Sequence, residues 1–498
     1  MDIFCIRGGT PLHGRIALHG AKNAALPLLA ATLATGARCE LLDCPDISDV
    51  TAACAILRHL GCAVEQHGGI VAVDAGSACR SDIPAELMRK MRAAVLFLGP
   101  LLARFGTAEL SLPGGCVLGA RPIDLHLRGL RRMGAEITLD GEHISARTDG
   151  LHGCTVALPL PSVGATENLI LAALGCRGTL TLCNAAREPE IGDLIAFLRA
   201  CGADIRGEGS LLRIRGGVPL TGACHTVLPD RMEAATYLAA AAATRGDVTL
   251  TNVRPEHLTA VLAVLEHAGC TLTQQNGMLR LRCSRLRAAG PIRTAPYDGF
   301  PTDAQAPLMA AMAVAEGVTV FEENLFEDRF RHVPALRALG AHIHAARRYA
   351  VVTGVRELHG ASMTATDLRG GAAMVIGALC ARGESELAGT AHLKRGYAEL
   401  VPTLLPAART LQNADKTHGG GWTPWNTRKT SRGAGRRSEI PAQHRLRSSA
   451  VTSGASRRIW RSCARSSASA RGTARAAGSI PASGSASSSW RRSSLPSC

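Results

Sequence analysis

A glycine followed by a short strand-like run recurs six times along the chain, first as Gly36-Ala-Arg-Cys-Glu-Leu-Leu42 and then from Gly106, Gly178, Gly246, Gly317 and Gly383. These glycines are close to evenly spaced. Each run is preceded by an Ala/Leu-rich helical stretch and followed by a second helix, which ends at another glycine: Gly61, Gly134, Gly202, Gly269 and Gly340. The second helices place apolar residues at i, i+3, i+4 and i+7, as in Ala53, Ile56, Leu57 and Leu60, in Leu194, Phe197, Leu198 and Cys201, and in Leu258, Val261, Leu262 and Leu265. That spacing gives one apolar face per helix. Each unit reads helix, strand, helix, strand, strand, and no unit can bury its helices alone. Six units of this kind predict an α/β protein of two similar domains with three units in each. By the spacing of the other copies, the second glycine of the sixth should fall within 406–411, yet that stretch reads Pro406-Ala-Ala-Arg-Thr-Leu411. The sixth repeat is therefore expected to be incomplete, without its closing strands.

Composition changes at the same place. Of 56 Lys and Arg and 40 Asp and Glu in 498 residues, residues 411–498 hold 16 of the former and only Asp415 and Glu439 of the latter. The tail thus carries +14 and the body 40 − 38, or +2, so the body is nearly neutral and no nucleic-acid partner is expected for it. All four tryptophans, Trp422, Trp425, Trp460 and Trp490, lie in this Ser/Arg/Gly-rich stretch. Two readings stand: a frameshift near Leu405 in a GC-rich gene, or a disordered basic extension. Seventeen cysteines without a Cys-x-x-Cys pair, and no secretory signal after Met1-Asp2, point to free thiols and not to zinc or a disulfide framework. The apolar run Ala93–Ala103 is shorter than the ~20 residues of a membrane span. A soluble, cytoplasmic protein follows from these observations.

The first helix of each unit begins with a residue suited to anions. Lys22, Arg92, Gly164, Asp303 and Arg369 stand at one common offset before Gly36, Gly106, Gly178, Gly317 and Gly383, and Arg231 stands one place further from Gly246. Helix N-termini carry free N–H groups and partial positive charge, so several converging starts bearing Lys and Arg make a site for a ligand with several negative charges. The competing account is a scatter of solvated surface charges, which repeat equivalence argues against. Asp303 differs in kind: it is suited either to act as a base or to cap its helix. Between a strand and a helix lies Leu112-Pro-Gly-Gly-Cys-Val-Leu-Gly-Ala-Arg-Pro-Ile-Asp-Leu125, a Gly-rich loop in which Arg121 favours the thiolate of Cys116. Cys116 reads either as a reactive group or as one of many small core fillers. Neither a Walker nor a dinucleotide fingerprint occurs.

Several segments together resemble the enolpyruvyl transferase family, in its branch that acts on UDP-N-acetylglucosamine. They are Gly20-Ala-Lys-Asn-Ala-Ala-Leu-Pro27, the Cys116 loop, Ser162-Val-Gly-Ala-Thr-Glu-Asn168, Asn184-Ala-Ala-Arg-Glu-Pro-Glu190, Leu228-Pro-Asp-Arg231, Phe300-Pro-Thr-Asp303, Phe326-Glu-Asp-Arg329 and Thr366-Asp-Leu-Arg369. The resemblance covers about residues 1–400. It implies two inside-out α/β domains, each of three βαβαββ-type repeats. Residues 22–229 would form the first domain, residues 1–21 with 230–410 the second, and 411–498 an unrelated tail, with the active site between the domains.

The resemblance also implies roles. Lys22, Arg121 and Arg395 would hold the phosphate and carboxylate of phosphoenolpyruvate, with Arg329 and Arg369 close by. Asn23, Arg92, the run Arg121, Pro122, Ile123, Asp124 and Leu125, the run Ser162, Val163 and Gly164, Asp303 and Leu325 would contact UDP-N-acetylglucosamine. Asp303 would take the proton of the sugar 3′-hydroxyl and Cys116 would protonate C3 of phosphoenolpyruvate. No metal, organic cofactor or membrane is implied. The reaction would open peptidoglycan synthesis, and so serve the cell wall, cell shape and division, and the protein would be a target of fosfomycin. Two residues depart from the family pattern: Leu160, where a longer aromatic or basic side chain is familiar, and Lys394, where an acidic residue is common. The rival readings are a body left inactive by its altered C-terminus, a body whose basic tail binds nucleic acid, and a transferase acting on shikimate phosphate.

The loop reading predicts that brief fosfomycin treatment labels Cys116 before any other of the seventeen cysteines, because an anion pocket beside Arg121 both binds the phosphonate and raises the thiolate fraction. Peptide mass spectrometry checks this. Label on other cysteines, or full activity in Cys116→Ser, contradicts it.

Overall fold

In the computed structural model, residues 3–114, 123–207 and 209–404 and the backbone of 409–411 are described. Their apolar residues gather in two cores. One runs from Ala21 to Leu228, and the other joins Ile6 and Leu18 to residues between Ala234 and Leu404. Each core is built on three helices packed side by side: Lys22–Thr35, Leu98–Phe105 and Val163–Ala173 in the first, Arg231–Ala243, Thr302–Met312 and Leu368–Cys380 in the second. These helices are apolar nearly all round, which suits elements enclosed on every side. All thirteen residues of Arg231–Ala243 are buried, for example. The second helices lie outside them, and each apolar face anticipated from spacing is buried: Ile56, Leu57, Leu198, Phe197, Val261 and Leu265 are at most 2% exposed. The glycines that end these helices, from Gly61 to Gly340, have φ between 92° and 99°, a left-handed conformation that a side chain resists.

The sheets cover the helices in one repeated pattern. Cys224–Thr226 runs parallel to Arg38–Leu42, which pairs antiparallel with Ile70–Asp74, which pairs antiparallel with Ala63–His67. His13–Ala17 stands in the same relation to Asp247–Thr251, Met278–Arg282 and Thr271–Gln275. The parallel strand of each of these sheets therefore comes from a distant part of the chain.

The sixth sheet shows how the interrupted repeat is accommodated. Ser362–Thr364 lies parallel to Glu384–Ala388, and the place held elsewhere by a unit's own last strand is taken by Ile3–Arg7, with Phe4 opposite Leu387. The short strand Arg409–Leu411 then pairs with Ile3–Cys5 on the outer side. The sixth unit is incomplete in its own sequence, but the chain's first strand completes the sheet. Repeat spacing carries no trace of this, because the donor strand lies near the start of the chain while its partner lies in the last repeat.

The chain crosses between the cores twice, and the two crossings are bonded together. Ala21 N–H donates to Leu228 O at 2.7 Å and Asp230 N–H donates to His19 O at 2.9 Å. Gly20 sits between them, where an added Cβ would collide with the carbonyl oxygen of Asp43. Among the described residues no helix is long and apolar enough to cross a membrane, no cluster of metal-ligating side chains occurs, and the cysteines are free thiols.

Ile6 is fully buried although it lies near the N-terminus. Ile6→Ala is expected to destabilise by about 2–5 kcal/mol, whereas Ile70→Ala, at a position 41% exposed, should stay within about 0.5 kcal/mol. Urea midpoints of the two variants measure the difference.

Candidate active site

The helix starts singled out in the sequence are where they were expected. Lys22 and Arg231 open their helices, Gly164, Asp303 and Arg369 are second residues, and Arg92 opens the 3-10 turn Arg92–Phe97 that runs into Leu98–Phe105. What brings several of them together is a pair of carboxylates.

Asp49, in the first turn of Ser48–His59 and 3% exposed, is the first of these. Its carboxylate takes Lys22 Nζ at 2.7 Å and Arg395 Nε and Nη2 at 3.0 and 3.2 Å. Lys22 comes from the element leaving the crossing and Arg395 from the turn Thr390–Arg395 of the other core. Burial lowers the Lys22 pKa, Asp49 pulls it back up, and Arg395 and Arg369 push it further down.

Asp303 is the second. Arg329 Nη2 donates to one of its oxygens at 2.7 Å, and Arg369 Nε to the other at 3.1 Å, with both arginine side chains 3% and that of Asp303 30% exposed. A capping role for Asp303 is not what is found. The cap position of its helix is Pro301, whose side chain makes no cap bond, and the Asp303 carboxylate points to the arginines. Arg329 is also fixed on the carbonyl of Thr302 at 3.0 Å. Arg369 Nη1 donates to Tyr397 Oη at 2.9 Å, and Tyr397 Oη lies 2.8 Å from Thr236 Oγ1. Asp230 links the two groups: it caps Arg231–Ala243 through Met232 and Glu233 N–H, accepts Lys22 N–H at 3.2 Å, and feels the charge of Arg369. Leu325, 40% exposed, stands on the loop that carries Arg329.

Arg92, Ile123, Asp124, Leu125 and Ser162, Val163 and Gly164 form a second group around His126. A Cβ on Gly164 would lie 3.2 Å from His126 Cε1. Burial and then the Arg92 charge push the His126 pKa down to about 4, so the ring is neutral at ordinary pH. Asn168 Nδ2 is 3.0 Å from His126 Nδ1 and 3.0 Å from Val95 O, and its Oδ1 accepts Gly99 N–H at 2.6 Å. Ser162 caps its helix through Ala165 N–H at 3.4 Å. The turn Arg92–Phe97 packs on Lys22–Thr35, which carries Asn23 as its second residue. Leu160 is 55% exposed. Cys116, Arg121 and Pro122 lie outside the described residues, in a segment bracketed by the strand Thr107–Ser111 and the helix Asp124–Arg132.

Several groups at the site were not singled out from the sequence: Asp49, Asp230, Tyr397, His126 and Glu190. Glu190 holds Arg231 by two hydrogen bonds of 2.9 and 3.1 Å, and so joins the two cores beside the crossing. The segments Asn184–Glu190 and Leu228–Arg231 did carry a family signal, but no role for Glu190 or Asp230 followed from it.

The fold is a two-core α/β one in which two carboxylates gather four cations, one of the two groups spanning both cores. The chain belongs to the EPSP synthase (3-phosphoshikimate 1-carboxyvinyltransferase) family, whose model matches residues 6–404. It is 48% identical over 400 residues to the UDP-N-acetylglucosamine 1-carboxyvinyltransferase of Acidiphilium cryptum, covering 80% of this chain and 96% of that one. It is 47% identical over 410 residues to the enzyme of the same name from Granulibacter bethesdensis, covering 81% and 97%. Among solved structures, the enolpyruvyl transferase NikO from Streptomyces tendae superposes with a TM-score of 0.76 at 26% identity, over 82% of this chain and 98% of that one. An EPSP synthase from Acinetobacter baumannii, at 21% identity and TM-score 0.64, shares the fold. The family match stops at Leu404, where the composition changes.

Because Asp49 opposes the loss of charge on Lys22, Asp49→Asn is expected to move the alkaline limb of the pH–rate profile to lower pH and to reduce kcat/KM at neutral pH by roughly 10-fold or more. The sign follows from the cation: with the carboxylate gone, burial and two arginines all favour neutral Lys22. Asp49→Glu, which keeps the charge, should restore most of the limb. An unmoved limb in Asp49→Asn would contradict this account.

Proposed function

We propose that the protein transfers the enolpyruvyl group of phosphoenolpyruvate to the 3′-hydroxyl of UDP-N-acetylglucosamine with release of phosphate, the committing step of peptidoglycan synthesis, in the cytoplasm. The observation that carries this reading is the gathering of Lys22, Arg395, Arg329 and Arg369 by Asp49 and Asp303. A substrate with both a phosphate and a carboxylate matches four cations in two pairs, and the names of the relatives supply the acceptor. We assign residues 22–229 to one domain and residues 1–21 with 230–410 to the other.

In this reading Lys22, Arg395 and Arg121 take the phosphate, and Arg329 and Arg369 turn to the carboxylate. As they turn, Asp303 loses two donors and becomes the stronger base. It removes the proton of the sugar 3′-hydroxyl, whose oxygen bonds to C2 of phosphoenolpyruvate while Cys116 delivers a proton to C3. The tetrahedral adduct then loses phosphate as its C2–O bond breaks and C3 returns a proton to the Cys116 thiolate, which restores the double bond, while the leaving phosphate takes the proton held by Asp303. Fixed cations balance the charge throughout. Asn23, Arg92, Ile123 to Leu125, Ser162 to Gly164 and Leu325 hold the nucleotide sugar.

Phosphate release from phosphoenolpyruvate should require UDP-N-acetylglucosamine and should not respond to shikimate 3-phosphate. Lys22→Ala is expected to lose about 100-fold or more in kcat/KM, whereas Lys90→Ala, at an exposed position, should behave as wild type. Equal losses in the two variants, or turnover with shikimate 3-phosphate alone, would reject the reading.

A further inference from the structure

We propose that Glu323 is a positioning residue that sets the acceptor-sugar side of the site, by fixing the loop of Leu325 and the start of the Asp303 helix together. The proposal rests on the reading above. Glu323 directly follows the strand Val318–Glu322 and is 1% exposed. A carboxylate buried at that depth needs its lone pairs occupied, and five donors occupy them. Oε1 accepts from Thr294 Oγ1 at 2.9 Å, Leu325 N–H at 2.9 Å and Phe326 N–H at 3.1 Å. Oε2 accepts from Thr302 Oγ1 at 2.9 Å and Gln305 Nε2 at 3.0 Å.

The donors belong to three different segments, and two of those bear groups assigned to the reaction. Leu325 and Phe326 begin the loop that ends in Arg329, while Thr302 and Gln305 flank Asp303 on its helix. Thr294 extends the clamp, since its Oγ1 accepts Asn324 N–H at 2.9 Å and its carbonyl accepts Asn324 Nδ2 at 3.2 Å. Thr302 passes the restraint on, because its carbonyl holds the Arg329 guanidinium that in turn holds Asp303. Oε1 therefore fixes the loop and Oε2 the helix start, so the separation of Leu325 from Asp303 is set by one rigid carboxylate.

In Glu323→Gln one oxygen becomes an NH2: turned to the Oε1 side it faces the Leu325 and Phe326 N–H groups, which cannot reverse, and turned to the Oε2 side it keeps partners only if the Thr302 hydroxyl and the Gln305 amide, whose Oε1 has no partner, both turn round. The loop and the helix start then lose their common anchor, and a misplacement near 1 Å can cost on the order of 100-fold in rate.

The experiment is steady-state kinetics on the full chain with both substrates varied, beside thermal melting and an Asp303→Asn variant. Glu323→Gln is expected to raise the KM for UDP-N-acetylglucosamine about 10-fold or more and the KM for phosphoenolpyruvate by several-fold less, because Arg329 is reached only through Thr302. Thr294→Val, which removes one donor to Glu323 and the acceptor of Asn324 N–H with little change of volume, should shift the same KM in the same direction by less. Unchanged KM for the nucleotide sugar in Glu323→Gln, or parallel rises in both KM values, overturns the proposal. If Glu323→Gln does not fold, Thr294→Val decides by the same criterion. Full activity in Asp303→Asn would instead reject the reading on which the proposal rests. An inactive Asp303→Asn beside a wild-type Glu323→Gln rejects the positioning role alone.

Discussion

Four cationic side chains, two buried and two partly so, can be gathered in one region only if negative charge is held among them. Asp49 does this for Lys22 and Arg395, and Asp303 for Arg329 and Arg369. Each buried ion is expensive to desolvate, and the cost is offset only when hydrogen-bond geometry is good and the remaining donors are used. Both conditions are met here by short contacts and by the further anchoring of Arg369 on Tyr397 and of Arg329 on Thr302. The four cations are thus held in place by carboxylates of the protein itself.

That arrangement needs both cores. Lys22 and Asp49 belong to elements of the first, Arg395, Asp303, Arg329 and Arg369 to elements of the second, and the paired crossings at His19–Lys22 and Leu228–Arg231 hold the halves in reach. Asp230 shows how closely architecture and chemistry are joined. The same carboxylate caps a core helix, accepts the amide of Lys22 and lies in the field of Arg369. The borrowed strands contribute as well. Ile3–Arg7 closes the sheet beside Leu368–Cys380, which is the helix that presents Arg369.

Much of the fold was legible because it repeats. A glycine with a left-handed φ at each helix end, and an apolar face every three to four residues, are local demands that recur from unit to unit and leave the same trace each time. The helix starts were legible for the same reason, and so were Lys22, Asp303 and Arg369. Asp49, His126 and Glu323 had no such trace. Each is a single polar residue whose role comes from partners elsewhere in the chain, at the extreme the 346 residues between Asp49 and Arg395.

The amino-acid sequence by itself determined the periodic elements, the number of units, the family and the point near Leu404 where that family's pattern ends, since these follow from local backbone and patterning rules. Tertiary structure alone decided that the first strand completes the sixth sheet, that Asp303 meets arginines and does not cap its helix, and that Asp49 joins Lys22 to Arg395. The physical reason is that hydrogen bonds and ion pairs act over about 3 Å in space, without regard to separation along the chain, so which buried charges meet is settled only when the two cores have packed.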